Sequence, residues 1–140
     1  MNQFALIYPM FAMVILTVSV LARLFLGRVQ AVKDGSVDAT YFRTYQGEAE
    51  PESTLKLSRH FKNLFEAPVL FYIVCLAAMI SQQGTVVFQV LAWLYVVLRV
   101  IHMLIHTGGN RIGKRVRAYF ASWVVLLLMW IILTAGIAFG

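Results

Sequence analysis

The sequence predicts an all-α integral membrane protein, a four-helix bundle of up-down topology in a single domain over residues 1–140. Three observations carry that expectation. Of the 140 residues, 61% are hydrophobic and 13% are charged, whereas soluble domains are about half apolar and about a quarter charged. Four apolar stretches reach the length of roughly 20 residues that a helix needs to cross a bilayer. Lysine and arginine gather in two of the connections between these stretches and avoid the third.

The first span covers residues 4–26, FALIYPMFAMVILTVSVLARLFL. No basic segment precedes it and no small-residue cleavage site follows it, so it reads as a retained helix and not a signal peptide. Pro9 falls in its first turns, where a missing N–H costs least. Residues 27–60 form the one long hydrophilic connection, with a DGS triplet and the acidic run QGEAEPES. Connections of this length are functional or disordered. This one reads either as a cytoplasmic cap over the helix ends or as a solvated connector. The second span covers residues 64–81 and the third residues 85–106, separated by SQQGT. The fourth covers residues 118–139. No internal repeat relates the two halves.

Orientation follows from the basic residues. Arg28, Lys33, Arg43, Lys56, Arg59 and Lys62 lie between spans one and two. Arg111, Lys114, Arg115 and Arg117 lie between spans three and four. The N-terminus, the SQQGT turn and the C-terminus carry none. The positive-inside rule then puts both basic connections in the cytoplasm and both termini outside it. The net charge of +6 does not make a nucleic-acid surface, because the cations flank apolar spans and have no stacking aromatics among them. A lone cysteine, Cys75, excludes an internal disulfide and reads as a small buried apolar residue.

Charge at membrane depth costs about 2.5–3.5 kcal/mol at a helix centre, so polar residues inside the spans need a reason. Three sets stand out. Arg59, Asn63 and Glu66 are spaced i, i+4, i+7, one stripe of a helix, with Lys62 a turn behind Glu66. Arg99, His102 and His106 are spaced i, i+3, i+7. Arg115 and Tyr119 are spaced i, i+4 where span four begins. All three sets lie at cytoplasmic helix ends, which a bundle brings together. They predict one polar pocket, rich in donors and holding a single carboxylate, suited to an anionic ligand that carries one ammonium group. Plainer readings stay open. Glu66 with Arg99 or Lys62 makes a structural ion pair; Arg111, Lys114 and Arg117 act as topology anchors; one histidine makes an interhelical hydrogen bond. His102 and His106, with His60 or Glu66, have ligand chemistry for a metal, but no HExxH pattern or cysteine ligand supports it and no metal is expected.

The pattern R-x3-N-x2-E at Arg59, Asn63 and Glu66 resembles the signature of the MAPEG family, membrane-associated proteins in eicosanoid and glutathione metabolism. The arginine of span three followed by polar residues at +3 and +7 is similar too, as is the arginine-rich entry to span four. The resemblance covers the four-span layout, with specific matches in residues 59–68 and 99–119. It implies a homotrimer of four-helix bundles that binds glutathione between subunits near the cytosolic side. By position, Arg59, Asn63, Glu66 and His102 would hold the γ-glutamyl end, and Arg99, His106 and Tyr119 would belong to the same pocket. Arg28, or else Lys33, would reach the glycine carboxylate. Arg115 matches the arginine that stabilises the thiolate, and a nearby cation favours that nucleophilic form.

Two departures mark a divergent, bacterial-type member. His102 and His106 stand where the synthases often have tyrosine, and Pro68 falls closer to Glu66. The resemblance implies a glutathione-dependent transferase or peroxidase in a bacterial inner membrane, acting on a lipophilic small-molecule acceptor among membrane lipids. The alternatives are a non-catalytic lipid- or anion-binding protein on the same scaffold, and a structural trimer whose polar stripe is interhelical glue.

Overall fold

The computed structural model describes residues 3–46, 50–108 and 112–140. Glu48 of the acidic run and the anchor Arg111 lie outside the described residues. Every element among the described residues is helical. A 3-10 turn, Gln3–Leu6, leads into α1, Ile7–Lys33; then come α2, Tyr41–Thr44; α3, Glu52–Asn63; α4, Ala67–Ile80; α5, Val86–Thr107; and α6, Ile112–Phe139. Four segments are long and apolar enough to cross a membrane: Phe4–Lys33, Glu52–Ile80, Val86–Thr107 and Gly113–Phe139.

The helix α1 buries Pro9, Met13, Leu16, Val20, Leu24 and Ala31, a stripe at steps of three, four or seven that a 3.6-residue period lines up. Phe11, Val14, Ile15, Val18 and Phe25 point outward and are exposed, which is costless where the surrounding solvent is hydrocarbon. The helix continues beyond residue 26 because LGRVQAVK contains nothing that stops it. The stop is the DGS triplet. Gly35 takes a left-handed φ of 71°, its N–H donates to the Val32 carbonyl, and the Ser36 N–H donates to the Ala31 carbonyl. This pair of bonds closes the helix end and uses glycine's freedom at φ > 0.

The long connection is partly structured. Its acidic turn is held at Asp38, whose carboxylate accepts from the Thr40 N–H (2.7 Å) and hydroxyl (2.6 Å). The hydroxyl bond is the main reason its pKa lies below the ordinary value. Helix α3 occupies residues that the sequence reads as loop, because Glu52 onward forms a regular amphipathic helix ahead of the apolar run.

Between Asn63 and Ala67 the second span breaks. Pro68 has no N–H for the Leu64 carbonyl and its ring crowds that oxygen. The chain makes a turn through Leu64, Phe65 and Glu66 before α4 resumes. The expectation that Arg59, Asn63 and Glu66 share one helical stripe is therefore corrected: the first two are on α3, and Glu66 sits in the break with φ −98° and ψ −94°.

Helices α5 and α6 pack along each other, α4 packs on α6, and α3 bridges α1 and α5. Inside, the Phe71 ring stacks on Tyr95 with centroids 4.5 Å apart and 12° between planes. Met13, Val20, Val74, Leu126 and Met129 fill the space around them. At the other end of the bundle the SQQGT turn runs from α4 to α5. Thr85 caps α5 by accepting the Phe88 N–H at 3.3 Å, and Gln83 donates to the Gly136 carbonyl of α6 at 3.2 Å. Thr85→Ala should cost about 1 kcal/mol through loss of that cap, seen as a lowered thermal midpoint in detergent; an unchanged midpoint would show the cap to be idle.

Candidate functional site

Helices α3, α5 and α6 meet at the end of the bundle where the basic connections lie. The face of α5 turned inward carries Arg99, His102 and His106, at 0%, 2% and 8% exposure. Three polar residues on a buried face are tolerable only with partners. Arg99 finds one on α3: its Nη2 donates to Asn63 Oδ1 at 2.7 Å and, more weakly, to the Asn63 carbonyl at 3.4 Å. His102 finds one on α6: its Nδ1–H donates to the Arg115 carbonyl at 3.3 Å. Tyr119, one turn after Arg115, lies against His102 with ring centroids 5.7 Å apart.

These side chains surround a cavity of about 280 Å³ lined by Arg59, Asn63, His102, His106, Arg115, Val116, Tyr119 and Phe120. Six sequence candidates are thus brought together: Arg59, Asn63, His102, His106, Arg115 and Tyr119. Arg99 stands behind the wall, holding Asn63. Among the described residues the lining carries two guanidinium groups and no carboxylate, so it suits an anion or the anionic part of a zwitterion. Val116 and Phe120 are exposed and give the cavity an apolar lip on the outer surface of α6.

Glu66 and Arg28 stand elsewhere in the chain. Glu66 is exposed in the break before α4 and does not line the cavity. Among the described residues it makes no ion pair within 4.0 Å, so the plainer alternative of an ion pair with Lys62 or Arg99 finds no support there. The kink that Pro68 enforces turned its side chain off the α3 stripe.

Arg28 is held at the end of α1 by Glu50 at 3.0 Å and by the Ser58 hydroxyl at 3.4 Å. Its guanidinium lies over the Phe42 and Tyr45 rings, 5.2 and 5.7 Å from their centroids. There it lines a separate apolar groove with Phe25, Val29, Val32, Lys33, Phe42 and Tyr45.

Two residues escaped the sequence reading. Glu50, only 6% exposed, appears in the sequence as one acid among several in a polar run. His60, fully buried, enters the sequence reading only beside the metal alternative. Its one signal was i, i+4 spacing to Leu64, which set it on the apolar face of α3. Among the described residues, no group of three or more His, Cys, Asp or Glu side chains is arranged to hold a metal ion.

A family model matches residues 6–135, nearly the whole chain, and describes the MAPEG family. The chain belongs to the MAPEG family. No curated protein and no solved structure matches it. As a MAPEG protein with four helices of spanning length, it is an integral membrane protein of the four-helix-bundle type. Membership supports a glutathione-related role in the membrane in general terms.

Proposed function

We propose that the protein is a glutathione-dependent transferase or peroxidase acting on lipophilic electrophiles in a bacterial inner membrane, with both basic connections on the cytoplasmic side. The observation that carries this reading is the convergence of Arg59, Asn63, His102, His106, Arg115 and Tyr119, from three helices, on one cavity. Arg59 and Asn63 hold the γ-glutamyl end of glutathione with the ring of His102 packed beside it, while His106 and Tyr119 close around the cysteinyl part. Arg115 faces the sulfur and stabilises the thiolate, since a cation favours the ionised nucleophile. The acceptor enters over the apolar lip at Val116 and Phe120, so the hydrophobic partner never has to leave the bilayer.

In this reading the protein works as a homotrimer. Glu66 and Arg28 lie outside the cavity of a single chain, and both reach the site across a subunit interface. Glu66 takes the ammonium and Arg28 the glycine carboxylate.

One observation favours a second reading, an anion-binding protein without chemistry: among the described residues the cavity wall of a single chain holds cations and no carboxylate. Equilibrium binding of glutathione to the detergent-purified protein tests the first reading. Saturable binding is expected, and the Arg59→Ala, Glu66→Gln double variant should abolish it. Absence of binding at millimolar glutathione would remove the transferase reading and leave the anion-binding one.

A further inference from the structure

The chain has three histidines, and all three meet. His60 of α3 lies 5.5 Å from His102 and 5.2 Å from His106, centroid to centroid, and the two α5 rings are 5.8 Å apart. Among the described residues, four buried ring nitrogens lack a hydrogen-bond partner: His60 Nδ1 and Nε2, His102 Nε2 and His106 Nδ1. Leaving such groups unpaired costs about 1–3 kcal/mol each. Two imidazoles joined by an N–H···N bond of about 3 Å stand about 5 Å apart, close to the separations of His60 from both neighbours. Two bonds, both through His60, satisfy all four atoms once the rings turn edge to edge.

The direction of those bonds is dictated from one end. A carbonyl only accepts, so the His102 Nδ1 that faces the Arg115 carbonyl carries the proton. In a neutral imidazole the other nitrogen then accepts. His102 Nε2 must receive a donor, and His60 supplies it. The second nitrogen of His60 is thereby an acceptor, and His106 Nδ1–H donates to it. His106 is left with a bare Nε2.

We propose that Arg115 carbonyl, His102, His60 and His106 form a directional hydrogen-bond chain that presents His106 Nε2 to the cavity as an acceptor. In a lining dominated by arginine donors, that nitrogen takes a donor of the ligand. On the glutathione reading, on which this last step rests, the donor is the thiol S–H before ionisation, held beside Arg115. His60 touches no ligand; it is a positioning residue that relays the bond direction fixed at His102 and so sets the tautomer of His106.

Because no other histidine is present, full-length protein made with 15N-histidine and a histidine-free tag reports on this cluster alone. Long-range 1H–15N correlation in detergent should show His102 and His106 as neutral Nδ1–H tautomers. In His60→Leu the Nδ1–H preference at His106 should be lost, and glutathione affinity should fall about tenfold. His60→Gln, with an NH2 donor group and a carbonyl acceptor of its own, should restore both. An Nε2–H tautomer or a charged ring at His106 in the unaltered protein would overturn the chain, as would an unchanged His106 in His60→Leu. Should His60→Leu fail to fold, the tautomers of the unaltered protein decide. Correct tautomers without glutathione binding would keep the chain and sink the glutathione reading alone.

Discussion

Arg115→Ala is expected to lower glutathione-dependent turnover by about 10²-fold or more, since removing one group aimed at developing charge has effects of that size. Glutathione binding should weaken only a few-fold. Arg115 lines the cavity one turn before Tyr119, and in the proposed reading Arg59 and Asn63 are the anchors of glutathione. Its backbone carbonyl, not its side chain, accepts from His102, so the substitution leaves that bond in place. Arg115→Lys keeps the charge but loses the planar fork, and should recover part of the turnover. Steady-state kinetics with an electrophilic aryl halide and with an organic hydroperoxide, beside equilibrium binding, make the measurement. Turnover equal to that of the unaltered protein would move thiolate stabilisation to another group. Equal loss of binding and turnover would make Arg115 an anchor.

The second large effect is structural. Asn63→Leu should destabilise the protein by about 1.5–3 kcal/mol, the range for a hydrogen bond to a charged group. Arg99 is fully buried, and Asn63 Oδ1 at 2.7 Å is its short hydrogen bond. Its Nε and Nη1 have no partner among the described residues. Leucine would leave a buried guanidinium with only its long 3.4 Å bond to the backbone carbonyl of residue 63, close to the situation that costs most when one member of a polar pair is removed. Asn63→Leu combined with Arg99→Met should therefore be less damaging than Asn63→Leu alone, a non-additivity expected of contacting residues. Thermal inactivation rates in detergent report both, since unfolding of such proteins is followed as a rate. A single variant as stable as the unaltered protein would show that Arg99 finds another acceptor.

Much of the cavity was legible because it uses short-range spacing. Arg99, His102 and His106 fall on one face of any regular helix, as do Arg115 and Tyr119, and both helices are regular where those residues lie. The stripe over Arg59, Asn63 and Glu66 failed on the same logic. Helical spacing holds only while the helix lasts, and Pro68 ends α3 before Glu66. Arg28 was legible as a cation at the end of α1 but not as the partner of Glu50. Nothing local joins residues 22 positions apart, on either side of a polar connection.

By itself the sequence determined the membrane class, the four spans and the R-x3-N-x2-E resemblance to the family whose model then matched residues 6–135. Each is a property of composition or of residues within a few turns of one another. The tertiary structure alone decided that His60 meets both His102 and His106, that Arg99 bonds Asn63, and that Glu66 leaves the cavity wall. The physical reason lies in the solvent. In water, hydrophobicity marks the face of a helix that turns inward; in hydrocarbon the lipid-facing and core-facing sides are equally apolar. The rotation of each helix about its axis is then set by packing and by the few polar groups that must find partners. Those partners are seen only once the helices are assembled.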